Sequence, residues 1–199
     1  MNVLVIPENF ALDQYVLKPL VKAMMSAVGR PRAVVRVCQD PLLGSVDQAL
    51  KWERIQEVLV RYRGMVDLFL LIVDRDGEPH RRGRIDTIES QAAEVLVASR
   101  RLLGENAWQE IEVWVLAGHD IPKDWAWADV RAHRDPKEAY FEPFAKLQGV
   151  SEQPYGGRES LARAAASRYE RVRQLCPEDI GALEQRIRGF LDARRTTSG

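Results

Sequence analysis

The chain has 199 residues, of which 46% are hydrophobic and 29% are charged. This composition is typical of a globular protein with a substantial core, and it excludes a disordered chain. Because 29 Lys and Arg residues balance 29 Asp and Glu residues, any nucleic-acid site would have to come from a local cluster of positive side chains.

The cysteines and the N-terminal segment exclude further classes of protein. Cys38 and Cys176 lie far apart and lack a metal-binding spacing, so we expect neither a zinc site nor a disulfide framework. The opening MNVLVIPENF lacks the basic region and the apolar length of a signal peptide, and no segment has the apolar length of a membrane span. We therefore expect a cytoplasmic protein that does not engage a membrane.

Strands and helices alternate over the first 117 residues. The strands are continuous apolar or β-branched runs, whereas the helices show apolar residues on one face or terminal signals such as a capping box. The predicted strands are Asn2–Ile6, Ala33–Cys38, Val66–Val73 and Ile111–Ala117, and the predicted helices are Ala11–Val28, Val46–Arg63 and Thr87–Leu103. We expect Asp86 and Glu89 to cap the third helix and Gly104 to end it. The alternation predicts an α/β fold with a mostly parallel, four-stranded sheet that has helices on both faces.

The pattern changes after Gly118. Residues 119–136 form an irregular, tryptophan-bearing segment that we predict to be a loop, and a short helix is expected over Pro136–Leu147. Two arginine-rich amphipathic helices are predicted over Arg158–Cys176 and Pro177–Arg195, and the tail TTSG is expected to be frayed. We therefore divide the chain into a core of residues 1–118 and a loop-and-helix extension of residues 119–199, packed together as one compact unit.

Acidic residues follow the ends of two predicted strands. Asp74 and Asp76 follow the apolar run LFLLIV, and Glu8 follows the first strand. Ligands of parallel sheets bind beyond the carboxyl ends of the strands, and the three carboxylates converge there if the first and third strands are neighbours, as in the 2-1-3 order of flavodoxin-like sheets. Carboxylate oxygens suit Mg²⁺ or Mn²⁺, either of which can polarise a phosphodiester and activate water. The simpler alternative is that DRDG forms an ordinary turn.

Basic residues follow this acidic pair almost immediately. Arginine side chains can bind the non-bridging oxygens of a phosphate, although such a cluster can also be a solvated loop. The candidate phosphate or nucleic-acid ligands are Arg81, Arg82 and Arg84, with His80 and Lys137 as secondary candidates.

Two further carboxylates are secondary candidates for the same metal site. Asp13 lies in the first turn of the first predicted helix, where it can instead complement the helix dipole. Glu112 lies within a predicted buried strand, where a carboxylate needs a partner, and an arginine could be that partner.

Several stretches resemble Toprim domains. IPENFALDQYVLKPLV resembles the strand, glutamate and helix that open these domains, and LFLLIVDRDG resembles their Asp-x-Asp motif. With IEVWVLAGHD, DPKEAYFEPFAKL and RYERVRQLCPEDIGALEQRI, nearly the whole chain is similar to a small Toprim-like family of unknown function. That family is related to the nucleases named for overcoming lysogenisation defect, and it is often encoded beside ATPases in phage-defence loci.

The resemblance implies a Toprim-like core, with a C-terminal helical extension, that hydrolyses phosphodiesters of DNA or RNA with Mg²⁺ or Mn²⁺. Glu8 would be the general acid/base or a metal-coupled carboxylate, and Asp74 and Asp76 would be the metal ligands. It also implies an anti-phage role with an ATPase partner. Many Toprim domains have glycine after the glutamate, whereas this chain has Asn9, which tolerates a left-handed backbone. The sequence has no Gly-rich phosphate loop, so any ATP dependence would come from another chain.

Two alternatives to a nuclease stay open. The motif VDRDGEP also resembles that of haloacid-dehalogenase-type phosphatases, in which the first aspartate would be the nucleophile, here Asp74. That motif normally ends the first strand and is followed by Thr, whereas here it ends the third strand and is followed by Glu78. The other alternative is a non-catalytic partner or regulatory subunit of a defence ATPase, with the arginine-rich helices after Gly157 as its docking surface.

Overall fold

A computed structural model describes residues 1–196 and contains one sheet of four parallel strands. The strands lie in the order β2-β1-β3-β4, and they are β1 (Asn2–Pro7), β2 (Val34–Val37), β3 (Leu68–Asp74) and β4 (Arg101–Ala107). The predicted α/β class and the neighbouring positions of the first and third strands are confirmed. The expectation of a frayed TTSG tail concerns residues 196–199; Thr196 is the last residue of the final helix, and residues 197–199 lie outside the described residues.

The helices of the first half cover the sheet, and those of the second half extend one of its faces. Among residues 1–196, no helix is both long enough and apolar enough to cross a bilayer. The α-helices are α1 (Phe10–Ala27), α2 (Val46–Ala49), α3 (Trp52–Tyr62), α4 (Arg81–Val95), α5 (Glu112–Ala117), α6 (Trp127–Ala132), α7 (Glu142–Leu147), α8 (Arg158–Ser167), α9 (Tyr169–Leu175) and α10 (Ala182–Thr196). Two π-helical turns, Lys137–Phe141 and Pro177–Gly181, precede α7 and α10, and a 3₁₀ turn, Pro154–Gly157, precedes α8.

The sheet is buried on both faces. Alternate side chains of β1 point to opposite faces, as the twofold period of a strand requires, so Val3 and Val5 join one hydrophobic cluster and Leu4 and Ile6 join another. The first cluster contains α1, α5 and the helices after residue 118, whereas the second contains α3 and α4. Each residue of 68–73 in β3 is at most 1% exposed, which explains its continuous apolar sequence. The C-terminal helices therefore share a core with the sheet.

The predicted fourth strand was wrong. The fourth strand is Arg101–Ala107, and the run over Ile111–Ala117 is mostly the helix α5. A short apolar run does not distinguish a buried strand from a buried helix, and Val113 to Ala117 are at most 1% exposed. The strand Arg101–Ala107 was missed in the sequence because it contains a charged residue, Glu105. Glu105 is only 6% exposed, and its charge is compensated by Arg82 at 3.1 Å.

The helix predicted over Thr87–Leu103 is displaced towards the N-terminus, since α4 spans Arg81–Val95. Asp86 and Glu89 do not form the predicted capping box, because both carboxylates instead bind the guanidinium of Arg82. Gly104 does not end a helix but lies within β4. A Cβ at this position would lie 2.3 Å from Cγ2 of the buried Ile85, so glycine allows α4 to pack closely on the strand.

Three other boundaries differ from the predictions. The helix predicted over Val46–Arg63 is interrupted at residues 50–51, and the one predicted over Arg158–Cys176 is interrupted at Arg168. The predicted loop of residues 119–136 contains α6, whose Val130 packs into the core.

The close contact at Gly104 gives a stability prediction. Gly104→Ala is expected to lower the free energy of unfolding by about 1–3 kcal/mol, because the added methyl group forces Ile85 and the strand apart. Gly189→Ala is the control, since its Cβ would meet nothing within 4 Å and alanine in a helix interior should add about 0.5–1 kcal/mol. Urea denaturation measures both changes. Equal effects of the two substitutions would contradict the packing at Gly104.

Candidate active site

Glu8 and Asp74 meet at the carboxyl edge of the sheet. Pro7 is paired with Ile72 in the parallel register of β1 and β3, so the residues that follow the two strands emerge side by side. Oε2 of Glu8 accepts a hydrogen bond from the backbone N–H of Asp74 at 3.3 Å. Oδ1 of Asp74 accepts one from the N–H of Ile111 at 2.8 Å, just before α5. Two of the predicted site carboxylates are therefore brought together by strand pairing.

Asp76 lies in a tight turn that one glutamine holds. Asp76 and Gly77 have φ values of 49° and 73°, in the left-handed region that non-glycine residues rarely adopt. The carbonyl of Gln109 accepts hydrogen bonds from the N–H groups of Arg75 and Asp76, and its side-chain oxygen accepts one from Gly77 at 2.8 Å. Gln109 itself has a φ of 68°. Such strained backbone persists only where the surroundings fix it, as they do here through the segment after β4.

Arg81 connects the two aspartates of the turn. Its side chain is 7% exposed, and Nη1 forms an ion pair with Oδ2 of Asp76 at 2.6 Å. The same nitrogen donates to the backbone carbonyl of Asp74. Arg81 therefore lies at the predicted site, but its charge neutralises Asp76.

The start of α1 places a third carboxylate beside Glu8. Oδ1 of Asn9 accepts from the N–H of Ala11 at 3.1 Å and caps the helix, while Oδ2 of Asp13 accepts from the N–H of Asn9 at 3.0 Å. Asn9 has a φ of −127°, which any residue adopts. The tolerance of Asn9 for a left-handed backbone, which the sequence analysis allowed for, is therefore not needed here.

Glu112 reaches the same cluster from α5 and has a buried partner. It is 6% exposed, and Nη2 of Arg158, the first residue of α8, lies 2.8 Å from its Oε1. The expectation that Glu112 needs an arginine is met, although the residue is in a helix and not in a strand. The ion pair between Arg158 and Glu112 also links α8 to α5.

Three carboxylates of the cluster, those of Glu8, Asp13 and Asp74, have raised pKa values. Burial raises the pKa of Glu8, and the charges of Asp76 and Glu112 raise it further, against the opposing effects of the Asp74 N–H and Arg81. Burial and the charges of Glu112, Glu8, Asp13 and Asp76 hold the pKa of Asp74 well above its ordinary value. Burial, with smaller contributions from Glu8 and Glu112, raises the pKa of Asp13 to about 7.

The cluster thus carries more negative than positive charge. Two arginines, Arg81 and Arg158, face five carboxylates: Glu8, Asp13, Asp74, Asp76 and Glu112. Mutual repulsion of this kind is relieved either by protonation or by a cation.

The donor set fits a hard divalent cation held by few protein ligands. Within residues 1–196, no three His, Cys, Asp or Glu side chains are arranged to hold one metal ion among them. Mg²⁺ usually keeps several waters and binds through one or two carboxylates together with substrate phosphates. Glu8 and Asp74 meet that requirement, since both are partly buried, all their donors are oxygen, and both have raised pKa values.

The other predicted phosphate ligands lie elsewhere or are already paired. Arg82 binds Asp86, Glu89 and Glu105 beside β4, and Arg84 lies 3.4 Å from Asp47. His80 is exposed just before α4. Lys137 is paired with its neighbour Glu138 at 2.9 Å, and its backbone N–H donates to Glu110.

The structure instead singles out Arg75, which the sequence analysis did not consider. Its guanidinium lies 4.1 Å from the centre of the Trp108 ring, and across residues 1–196 it makes no ion pair and no side-chain hydrogen bond. Arg134, also without an ion pair in that range, approaches the same turn: its Nε lies 3.8 Å from where a Cβ of Gly77 would be. The signal for Arg75 was its position inside Asp-Arg-Asp. Trp108 could be interpreted only once β4 was placed correctly.

Comparisons with protein-family models, curated proteins and solved structures gave no match. The Toprim-like resemblance therefore stays an expectation from short motifs. The geometry and charge of the carboxylate cluster are the remaining guide to what the protein does.

The raised pKa of Asp13 predicts a pH-dependent stability. A folded-state pKa of about 7 exceeds the unfolded value near 3.8, so this group stabilises the fold fully below about pH 4 and loses that effect as the pH rises through 7. Asp13→Asn mimics the protonated form, so at pH 8.5 in EDTA it should be more stable than the natural chain by about 1–3 kcal/mol. The difference should vanish towards pH 4.

Urea denaturation at several pH values measures this difference. Asp124→Asn is the control, because Asp124 is exposed outside the cluster, and it should give no pH-dependent gain. A gain for Asp13→Asn that is the same at pH 4.5 and pH 8.5 would refute the electrostatic explanation.

Proposed function

We propose that the protein is a Toprim-like, Mg²⁺- or Mn²⁺-dependent nuclease that hydrolyses phosphodiesters of DNA or RNA. The observation that supports this most is the contact between Glu8 and Asp74 across two paired strands, in a cluster whose negative charge is not balanced. Buried carboxylates that repel one another destabilise the fold unless protonation or a cation relieves the repulsion, and strongly perturbed carboxylates are concentrated at functional sites.

In this proposal each carboxylate has a separate task. Asp74 and Glu8 would hold the cation, and Asp76 would join them when substrate displaces it from Arg81. A divalent cation in this position supplies Lewis-acid activation of the phosphodiester and lowers the pKa of a bound water. The pKa of Glu8 is raised from its ordinary value in the direction of pH 7, so its carboxyl group suits proton transfer with the attacking water or the leaving oxygen.

Arg75 is the proposed phosphate ligand. A guanidinium that is held against an aromatic ring and lacks a protein carboxylate is pre-oriented for an incoming anion. Its side chain leans towards Trp108 and β4, whereas Glu8 lies on the β1 side of Asp74. It would therefore contact a phosphate that flanks the scissile one.

A place in phage defence with an ATPase partner completes the proposal and rests on the resemblance alone. The exposed arginines of α8 and α10 are each paired with an acidic residue of the same helix, so a partner would meet a surface of mixed charge; they are Arg163, Arg188 and Arg195. An adjacent ATPase gene would support this part of the proposal, and co-purification of the two proteins would test it.

A non-catalytic role beside an ATPase is the competing function, and one observation favours it. Asp76 is occupied by Arg81 at 2.6 Å, which is what a site without metal would be expected to show. The two functions differ in whether the cluster binds a divalent cation and cuts nucleic acid.

The decisive prediction concerns metal-dependent cleavage. At least one of plasmid DNA and tRNA should be cut when it is incubated with the protein and Mg²⁺ or Mn²⁺. Asp74→Asn or Glu8→Gln should lower the rate at least about 100-fold, because each removes a charged ligand or a proton-transfer group. Glu94→Gln is the matched control, since Glu94 is exposed in α4 without an ion pair among the described residues, and it should retain activity.

Calorimetry with Mn²⁺ separates the outcomes of that experiment. Binding that disappears in Asp74→Asn, even where no cleavage is seen, would leave the metal site in place and direct attention to a missing activating partner. Absence of both binding and cleavage in the natural chain would favour the non-catalytic role.

The role of Arg75 has a prediction of its own. Arg75→Ala should raise the KM for cleavage about tenfold with little change in kcat, because it removes a charge-assisted contact to a flanking phosphate. The dependence of log KM on log salt should flatten by about 0.7–0.9 for the one lost phosphate contact. Arg32→Ala removes an exposed arginine before β2, at the opposite edge of the sheet, and should change neither quantity. A fall in kcat alone would place Arg75 outside substrate binding.

A further inference from the structure

A groove runs between α1, whose first turn carries Asp13 of the carboxylate cluster, and α8, whose first residue, Arg158, binds Glu112. It encloses about 220 Å³, and its walls include Tyr15, Lys18 and Lys22 of α1 and Glu159 and Arg163 of α8. Residues 15, 18 and 22 are three and four apart, so their side chains follow one face of α1. The groove therefore extends along the helix that begins next to Glu8.

The groove is positively charged. Arg163 is neutralised by Glu159 at 2.6 Å. Lys18 and Lys22 are exposed, and neither forms an ion pair or a side-chain hydrogen bond with any residue from 1 to 196. Two unpaired ammonium groups about one helical turn apart remain, and they suit a chain of phosphates.

A pair of stacked tyrosines stands at the end of the groove nearest the cluster. The rings of Tyr15 and Tyr155 are 4.0 Å apart between centres and 21° from parallel. Tyr155 is 47% exposed, so its ring presents apolar surface to solvent. Its φ of 60° is unfavourable for a bulky residue, yet the turn holds the ring in place.

Neighbouring contacts fix that turn. Gly157 also has a positive φ, and a Cβ there would lie 2.8 Å from the carbonyl oxygen of Val150. Nη1 of Arg158 donates to the carbonyl of Tyr155 at 3.1 Å, while its Nη2 binds Glu112 at 2.8 Å. One guanidinium thus joins the tyrosine turn to the carboxylate cluster.

We propose that this groove binds a single-stranded segment of nucleic acid, with a base stacked on Tyr155 and successive phosphates near Lys18 and Lys22. This inference rests on the proposed function and narrows its substrate to strands with unstacked bases. An exposed aromatic ring at the head of a positive groove is the arrangement that holds single strands without sequence preference. A duplex keeps its bases stacked inside, so it offers the tyrosine no ring face.

Binding without cleavage tests the proposal. Fluorescence anisotropy in EDTA, with labelled single-stranded DNA and RNA 12-mers and the matching duplex, should show tighter binding of the single strands. Tyr155→Ala should weaken single-strand binding about tenfold, and Tyr155→Trp should restore it, because stacking on the ring is lost and then regained. The double variant Lys18→Ala, Lys22→Ala should flatten the dependence of log affinity on log salt by about 1.4, for two phosphates of a single strand.

Control variants test whether the changes in affinity arise from the groove. Arg32→Ala combined with Lys51→Ala removes two exposed positive charges, near β2 and at the start of α3, and should leave affinity unchanged. Tyr155→Phe keeps the ring and should bind normally. Thermal melting of each variant identifies any that fail to fold, and in that case the Phe, Trp and double-lysine variants decide the outcome.

The possible results distinguish failure of this inference from failure of the nuclease proposal. Asp74→Asn should lose cleavage and keep single-strand affinity in EDTA. If the natural chain neither cuts nor binds Mn²⁺ but binds single strands through Tyr155 and the lysines, the inference stands and the nuclease proposal falls. Equal affinity for duplex and single strand, or unchanged binding in Tyr155→Ala or in the double-lysine variant, would overturn the inference whether or not the protein cuts.

Discussion

The parallel pairing of β1 with β3 is the constraint on which the candidate site depends. It aligns Pro7 with Ile72 and so delivers Glu8 next to Asp74 as both strands leave the sheet. Backbone hydrogen bonds and a core buried on both faces fix this alignment, so Glu8 and Asp74 stay neighbours as long as the sheet is intact. Their repulsion is therefore built into the fold, and the molecule must relieve it by protonation or by a ligand.

The surroundings relieve that repulsion only in part. Arg81 compensates Asp76 and Arg158 compensates Glu112, and both arginines are almost fully buried. Among the described residues, the carboxylate of Asp74 accepts a hydrogen bond from the N–H of Ile111 but forms no ion pair with an arginine, and its pKa is well above the ordinary value. Within residues 1–196, positive charge without an ion-pair partner lies outside the cluster, at Arg75 on one side and at Lys18 and Lys22 of α1 on the other. The site thus has an acidic centre between two basic flanks, which is the charge distribution that a metal and a phosphate chain would complete together.

The sequence predicted the features that depend on local pattern and failed where tertiary contacts decide. Continuous apolar runs identified β1 and β3, and the ends of those strands located Glu8, Asp74 and Asp76. The fourth strand was missed because Glu105 and Gly104 contradict a strand locally, and only Arg82 and the close approach of Ile85 make them acceptable there. The sequence alone could not distinguish Arg75 from Arg81, Arg82 and Arg84 as a phosphate ligand. Whether an arginine forms an ion pair depends on carboxylates that can be distant in the chain. The stacked tyrosines, 140 residues apart in sequence, gave no sequence signal at all.

The hydrogen bonds that Gln109 accepts from the Asp-x-Asp turn have a chemical consequence. Consecutive N–H groups in a left-handed turn commonly converge into a concave nest that captures anions. Here the N–H groups of Arg75, Asp76 and Gly77 are all taken by oxygens of Gln109. The turn therefore offers none of these three donors to a phosphate, and an anion arriving at this edge must be recognised by side chains and by whatever cation they hold.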